Sequence, residues 1–178
     1  MNKAIDVASY ILQEKGCLTG YQLQKLLYYC QAWSLVTQDA PLFDERVKAW
    51  EHGPVVYEVA KLHRSRSYVA ASGIGGSPGS LSARDKDLVD SVLDAYGSMS
   101  GDDLADLSHS EEPWLSVYNG HSGLLAAEIT RESMLDYYSR LMASDPVERE
   151  KHHVPIFNGC GRMFVSDRDF EWLLANAI

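Results

Sequence analysis

The sequence LTGYQLQKLLYYCQAW, residues 18–33, carries the strongest structural signal in the chain. Thr19 and Gln22 stand at the spacing of a capping box, in which each side chain bonds the backbone of the other residue, so a helix is predicted to begin at Thr19. The apolar side chains that follow at helical spacing are Leu23, Leu26, Leu27, Cys30 and Trp33. A second stripe beside them consists of Tyr21, Lys25, Tyr28, Ala32 and Leu35. A helix that is apolar on most of its sides normally packs against several neighbours, so we predict that this helix is central.

Capping residues and apolar periodicity predict further helices on both sides of it. A first helix covers the apolar positions from Ile5 to Leu12 and is stopped by Gly16. Later helices begin at residues whose hydroxyl groups suit an N-cap, namely Ser82, Ser100, Thr130 and Ser166. Glu112, Pro113 and Trp114 predict a tight bend with a short helix or turn. The chain is therefore predicted to be mainly α-helical, a compact domain of roughly seven helices.

A small β element accompanies these helices. Residues 46–50 alternate polar and apolar side chains, which predicts a short strand. Residues 154–165 hold two β-type runs around the glycine-containing sequence NGCG, which predicts a C-terminal hairpin. Gly53 and Pro54 are predicted to turn the chain, with Pro54 opening a helix that continues to about Arg64. The composition of the glycine- and serine-rich residues 72–80 predicts a flexible loop. A phosphate-binding loop is disfavoured there, because no strand precedes these residues and no lysine stands at the required position.

Length and charge limit the possible classes of protein. With 178 residues, the chain is predicted to hold one helical domain, residues 1–144. A C-terminal extension, residues 145–178, is predicted to consist of a charged loop, the hairpin and a final helix packed on that domain. A net charge of −9 disfavours nucleic acid as a partner, since nucleic-acid-binding proteins usually present a basic face. The same charge is compatible with a basic protein partner.

Cysteine usage and hydropathy predict the compartment. Three cysteines, an odd number without CxxC spacing, argue against a disulfide framework. No apolar run approaches the length that spans a bilayer, and the N-terminus lacks the pattern of a signal peptide. We therefore predict a reduced, cytoplasmic protein with no membrane partner.

The histidines are the candidate catalytic or metal-binding residues. His152 and His153, with Cys160 nearby, lack a second ligand pair at zinc-like spacing, so a charged loop that holds two histidines is favoured over a metal site. His52 and His109 each precede a turn and are candidates for a general base. No nucleophile elbow, paired-carboxylate motif or HExxH sequence accompanies them. We therefore predict no enzyme activity and no metal, and we interpret His52 and His109 as residues that fix turns.

Lys25 and the tryptophans are the candidate residues for contact with a partner. Lys25 is interpreted either as a surface lysine whose stem covers the core or as a cation held against Tyr21 and Tyr28 at a binding surface, and both alternatives stay open. Trp50 and Trp114 are candidates for interface anchors or core residues. Trp33 is predicted to be core because it lies on the main apolar stripe.

These motifs together resemble the Panacea domain, a family that includes SocA-type antitoxins and phage-associated proteins of the GepA type. The matching segments, in order, are Leu18-Thr19, residues 23–33, Pro41-Leu42-Phe43, residues 49–55, Leu104, Leu107-Ser108-His109 and Pro113-Trp114. The resemblance covers roughly residues 3–142. It is specific, because several motifs occur in the same order at similar spacing.

The resemblance implies an antitoxin that neutralises a cognate protein toxin, encoded by the neighbouring gene, through direct binding. It also implies one alternative, a proteolytic adaptor that delivers the toxin to an AAA+ protease, and it implies no enzyme activity and no cofactor. A small hydrolase that uses His52 or His109 is a less favoured alternative, which comes from the histidines themselves. The positions assigned to partner binding are Lys25, Tyr28, Tyr29, His52, His109 and Trp114. The positions assigned to the structural motif are Thr19, Trp33, Trp50, Gly53, Pro54 and Pro113. His52 departs from the family pattern, in which a lysine and an aromatic residue more usually precede the Gly-Pro pair.

Overall fold

A computed structural model of the chain describes residues 2–157. The helices in this range are α1 (Ala4–Lys15), α2 (Gly20–Gln38), α3 (Tyr57–Ala60), α4 (Ala83–Tyr96), α5 (Gly101–His109), α6 (Glu112–Leu115), α7 (Arg131–Met142) and α8 (Pro146–Lys151). The strands are β1 (Leu18–Thr19), β2 (Val47–Trp50), β3 (Gly53–Val56), β4 (Tyr68–Val69) and β5 (Glu128–Ile129). The predicted mainly α-helical fold with a small β element is confirmed.

Helix α2 is the centre of this fold, as its apolar circumference predicts. The capping box at its start is present: Thr19 Oγ1 accepts from the Gln22 backbone N–H at 3.2 Å, and Gln22 Oε1 accepts from the Thr19 N–H at 3.2 Å. Every side chain from residue 23 to residue 36 is buried. The helix packs against α1, α4, α5, α7 and β3. Its position between these elements makes its side chains the core of the domain.

The other helix boundaries also follow local rules. Gly16 ends α1 at a φ of 79°, a conformation that glycine adopts without strain. Ser82, Ser100 and Thr130 each accept a backbone N–H through the side chain at the starts of α4, α5 and α7. These four predicted boundaries are confirmed.

The β element differs from the prediction at Pro54. Strand β2 confirms the predicted strand at residues 46–50 and lies between β3 and β5, antiparallel to both. Pro54 was expected to open a helix that reaches Arg64, and this prediction is wrong: Pro54 lies in β3 opposite Ala49, and α3 is a single turn after it. Because β3 is an edge strand, proline can lie in it without removing a hydrogen bond from the ladder.

The C-terminal extension also differs from the prediction in its first part. The expected charged loop contains helix α8, which Asp145 caps by accepting the backbone N–H groups of Val147 and Glu148. Helix α8 packs against α7. Residues 154–157 belong to no helix or strand, while the rest of the predicted hairpin and the predicted last helix lie outside the described residues. The division at residue 144 stays a prediction.

Two predictions concern membrane and redox chemistry. Among residues 2–157, no helix combines the length and the apolar character that crossing a bilayer requires. Cys17 is exposed and Cys30 is buried in α2, whereas Cys160 lies outside the described residues. Burial raises the pKa of the Cys30 thiol, which keeps it protonated and unreactive. The cytoplasmic location stays a prediction.

Candidate functional site

The six residues predicted to bind a partner occupy very different environments. Lys25, Tyr28 and Tyr29 have no exposed surface, Trp114 is buried, His109 is half-buried and His52 is exposed. Lys25, His109 and Trp114 lie around the β2–β3 hairpin, whereas Tyr28 and Tyr29 face a second buried cluster. Of these six side chains, His52 is the one that reaches solvent freely, so direct contact between a partner and the three fully buried residues would require the core to open. Their partner-binding role stays a prediction.

The first cluster, around Lys25 and the β2–β3 hairpin, joins α2 to the outer edge of β3. Lys25 Nζ donates to the Pro54 carbonyl at 3.1 Å, and the next outward group, the Val56 N–H, donates to Gln24 Oε1 at 2.8 Å. Because proline has no N–H, the strand presents only an acceptor at residue 54, which a lysine can satisfy. Two consecutive side chains of α2 therefore bond the backbone groups that the edge strand leaves unpaired.

Gly53 is required by the same arrangement. Its φ is 94°, in the left-handed region that favours glycine. A Cβ atom at this position would lie 2.6 Å from Lys25 Cε and 2.8 Å from Ser108 Oγ. The Gly-Pro pair and the lysine, 28 residues apart in the chain, thus form one packed unit.

Burial controls the charge of Lys25. Loss of hydration lowers the pKa of this amine from its ordinary value of 10.5 to about 7. The structure supports neither interpretation of Lys25 drawn from the sequence, since the side chain has no surface exposure and its nitrogen bonds a backbone carbonyl. The lysine is a core residue of the described fold.

Aromatic side chains continue this cluster toward the surface. His109 stacks on Trp114 with ring centroids 4.0 Å apart, and Trp114 stacks on Tyr118 at 4.4 Å. Trp114 Nε1 donates to the Trp50 carbonyl at 2.9 Å, which ties α6 to the end of β2. Burial and the nearby Lys25 lower the pKa of His109, so its imidazole is neutral at pH 7. His52 lies outside the stack, with its ring 5.2 Å from that of Tyr21.

The second cluster surrounds Glu111, a residue that the sequence reasoning missed. Glu111 has no exposed surface, and its Oε2 accepts from the Tyr138 hydroxyl at 2.6 Å and from the Tyr29 hydroxyl at 3.2 Å. The hydroxyls of Tyr28 and Tyr138 are 3.2 Å apart and hydrogen-bonded. Nothing in a single sequence separates Glu111 from Glu112, which is exposed. Tyr29 therefore bonds a buried carboxyl group directly, and Tyr28 contacts the same carboxyl group through the hydroxyl of Tyr138.

Helix α8 completes this cluster. His152 is buried, with Nδ1 3.7 Å from Glu111 Oε1 and Nε2 3.0 Å from Glu148 Oε1. Burial raises the pKa of Glu111, and the carboxyl group of Glu111 raises the pKa of His152. The sequence placed His152 in an exposed charged loop, and this interpretation is wrong because α8 directs the ring into the core. Within residues 2–157, no group of three or more histidine, cysteine or acidic side chains is arranged to hold a metal ion.

A large cleft opens beside the first turn of α2. Its volume is about 980 Å³, and α2, β3 and the segment after α3 line it. Aromatic walls come from Tyr21, Trp50 and Tyr57, and the cationic side chains of the lining are Lys61, Arg64 and Arg66. At its base, His63 Nε2 lies 3.0 Å from Gln24 Nε2, and burial lowers the pKa of His63. The sequence reasoning missed this cleft, although the basic sequence KLHRSR at residues 61–66 was a visible signal.

Comparison with known proteins identifies the scaffold. No curated protein and no solved structure matches the chain. The family described as "Antitoxin SocA-like, Panacea domain" matches residues 23–115. This segment is more than half of the chain and runs from α2 through α6, so it includes Lys25, the Gly53-Pro54 pair of β3 and Glu111. The resemblance inferred from the motifs is confirmed, and the chain belongs to the SocA-like antitoxin family of the Panacea domain.

Proposed function

We propose that this chain is an antitoxin that neutralises a cognate protein toxin by direct binding. The observation that carries the proposal is the family match over residues 23–115. The described fold is compatible with a binding module, because the charged groups in its core are engaged by other parts of the same chain. An enzyme activity is not part of the proposal.

The buried and the exposed residues of the fold support two separate roles. Lys25 and Glu111 bond backbone and tyrosine groups inside the fold, so their contribution is to hold α2, β3, α6 and α7 together. Binding energy in protein interfaces comes from exposed anchors, chiefly aromatic and arginine side chains. In this chain such anchors include Tyr21 and Arg64, which are exposed near the start of α2. We therefore assign partner contact to the exposed residues around the framework.

The net charge of −9 adds an expectation about the rate of binding. An acidic antitoxin and a basic toxin attract each other over about 30 Å at 0.01 M salt but only about 10 Å at 0.1 M, so their association is accelerated most at low salt. We expect the association rate constant to fall as salt concentration rises. A rate that is the same at low and high salt would contradict electrostatic steering while leaving the binding itself intact.

The deciding experiment is growth rescue with the product of the neighbouring gene. That product is expressed alone and then together with this chain, and the complex is captured from the rescued cells. We expect the product of the neighbouring gene to be toxic when it is expressed alone. Co-expression of this chain should relieve the toxicity, and the two proteins should be captured as a stable complex. The proposal would be contradicted if the product of the neighbouring gene is toxic but this chain neither binds it nor relieves its toxicity.

The proteolytic-adaptor alternative predicts a different outcome in the same cells. The toxin would disappear after co-expression, and its level would recover when the AAA+ protease is absent. The C-terminal extension is the candidate protease-docking segment, but a deletion from residue 145 would remove His152 from the Glu111 cluster. A deletion after Phe157 keeps Glu111 and His152 in the chain. Toxin binding by this variant, measured beside toxin degradation, separates loss of protease delivery from loss of folding.

The hydrolase alternative is tested at His52 and His109. His52→Ala removes an exposed imidazole, and His109→Phe keeps a ring against Trp114. We expect both variants to bind the toxin and to rescue growth. Binding without rescue in either variant would instead support a catalytic role for that histidine.

A further inference from the structure

The cleft beside α2 differs in charge from the rest of the molecule. The chain as a whole carries −9, yet Lys61, Arg64 and Arg66 line the cleft, and no aspartate or glutamate is among its lining residues. All three cationic side chains are exposed. Arginine presents a planar fork that pairs with a carboxylate through two parallel hydrogen bonds. The cleft is thus a cationic surface on an acidic protein.

The walls of the cleft suit apolar side chains as well as charge. Tyr21 is 49% exposed, and Trp50 and Tyr57 are partly exposed beside it. Aromatic rings of this kind offer a large apolar face together with a polar edge. A volume of about 980 Å³ is at the upper end of the range for ligand pockets, which leaves room for a length of peptide chain.

An apolar rim extends the cleft on one side. Ser122 and Gly123 line the cleft, and the next two residues, Leu124 and Leu125, are 72% and 79% exposed. Trp50 Nε1 donates to the Gly123 carbonyl at 3.3 Å, which holds this segment to the hairpin. A small anion confined to the cleft would leave both leucines in water, whereas a polypeptide that continues over the rim would cover them.

We propose that this cleft is the docking site for an acidic segment of the protein partner, whose carboxylates pair with Lys61 and Arg64 while its apolar side chains pack on Tyr21, Tyr57 and Leu124. This inference rests on the proposed antitoxin function and deepens it. The positive end of α2 begins at Thr19 and Gly20, which also line the cleft and add to its attraction for carboxylates. The occupant is therefore an anionic, partly apolar polypeptide.

The test uses the full chain and the toxin encoded by the neighbouring gene. In one variant, Lys61→Glu and Arg64→Glu reverse two charges of the cleft, whereas Arg66 is kept because it also donates to the Gly73 carbonyl. In the matched control, Arg84→Glu and Arg149→Glu reverse two exposed charges outside the cleft. Both variants change the net charge by the same amount, so long-range attraction is altered equally.

We expect the cleft variant to bind the toxin about 10–100-fold more weakly and the control within about threefold of the original affinity, because only the first turns contacts into repulsion. Leu124→Gln should weaken binding about 3–10-fold through loss of apolar contact. Reversal of acidic residues in the toxin segment should restore binding to the cleft variant. If the unaltered chain rescues growth and the cleft variant binds equally well, the cleft inference is overturned and the antitoxin proposal stands.

A cross-linking experiment identifies which polypeptide occupies the cleft. A photo-reactive amino acid replaces Ser67, an exposed residue of the cleft lining. A cross-link to an acidic segment of the toxin supports the inference. A cross-link to residues 158–178 of this chain, or to a non-acidic part of the toxin, overturns it. If the unaltered chain neither binds the neighbour nor relieves its toxicity, the antitoxin proposal fails and this inference fails with it.

Discussion

The interior of α2 and the cleft beside its first turn make opposite use of charged and aromatic residues. Inside, Lys25 and the tyrosine pair have no exposed surface and bond groups of the same chain. At the first turn, Tyr21 and the cations of the cleft face solvent. The buried residues of α2 hold the framework together, whereas we propose that the exposed residues of the cleft contact a partner.

Lys25 and Glu111 are ionisable residues in the core of the described fold. A buried charge without partners is strongly destabilising, so each one here specifies a particular neighbour. Lys25 specifies the Pro54 carbonyl, and Glu111 specifies the hydroxyls of Tyr29 and Tyr138.

Removal of the buried carboxyl group should have the largest effect on stability. Glu111→Ala leaves the hydroxyls of Tyr29 and Tyr138 without their acceptor and creates a cavity, so we expect the free energy of unfolding to fall by about 3–5 kcal/mol. Chemical denaturation measures this change. The matched control is Glu112→Ala, which removes an exposed ion pair with Arg140 and should cost less than about 1 kcal/mol. Equal losses in the two variants would contradict a structural role for Glu111.

Crowding at Gly53 should have the next largest effect. Gly53→Ala places a Cβ 2.6 Å from Lys25 Cε at a positive φ, so we expect a loss of about 2–4 kcal/mol from overpacking and backbone strain. Gly120→Ala provides the control, because Gly120 also has a positive φ but open space around its Cβ position. We expect it to cost about 1 kcal/mol, from strain alone. Thermal unfolding of both variants separates the two causes, and similar melting temperatures would refute the packing argument.

The buried lysine should make stability depend on pH. The pKa of Lys25 is about 7 in the folded chain against an ordinary value of 10.5, so the unfolded chain binds more protons between these values. Stability therefore rises with pH across this window, by at most about 3 kcal/mol between pH 7 and pH 9, and is flat below it. Denaturation of the unaltered chain and of Lys25→Met at several pH values isolates this contribution from other titrating groups. Parallel pH profiles of the two chains would show that Lys25 is not desolvated.

Charge reversal in the cleft should have the smallest effect on stability. Lys61 and Arg64 are exposed, so Lys61→Glu with Arg64→Glu should change the free energy of unfolding by no more than about 0.5 kcal/mol. The same variant is expected to bind the toxin more weakly, which would separate partner binding from folding. A stability loss as large as that of Gly53→Ala would instead place these two residues in the framework.

Local signals in the sequence predicted a large part of the fold. The capping box at Thr19 and Gln22 and the stop at Gly16 act within a few residues, so they were correct without knowledge of the tertiary structure. The prediction failed at Pro54, because proline suits both the first turn of a helix and an edge strand. It also failed at α8, where a charged sequence concealed one inward-facing histidine.

The sequence by itself determined the central helix, most helix boundaries and the family, because capping, periodicity and motif order depend on residues close together in the chain. Only the tertiary structure decided the environment of the candidate residues. Lys25 meets Pro54 across 29 positions, and Tyr29 meets Glu111 across 82. Burial and electrostatic surroundings arise from contacts between residues that are far apart in the sequence. A surface lysine and a core lysine therefore cannot be distinguished from the sequence near them.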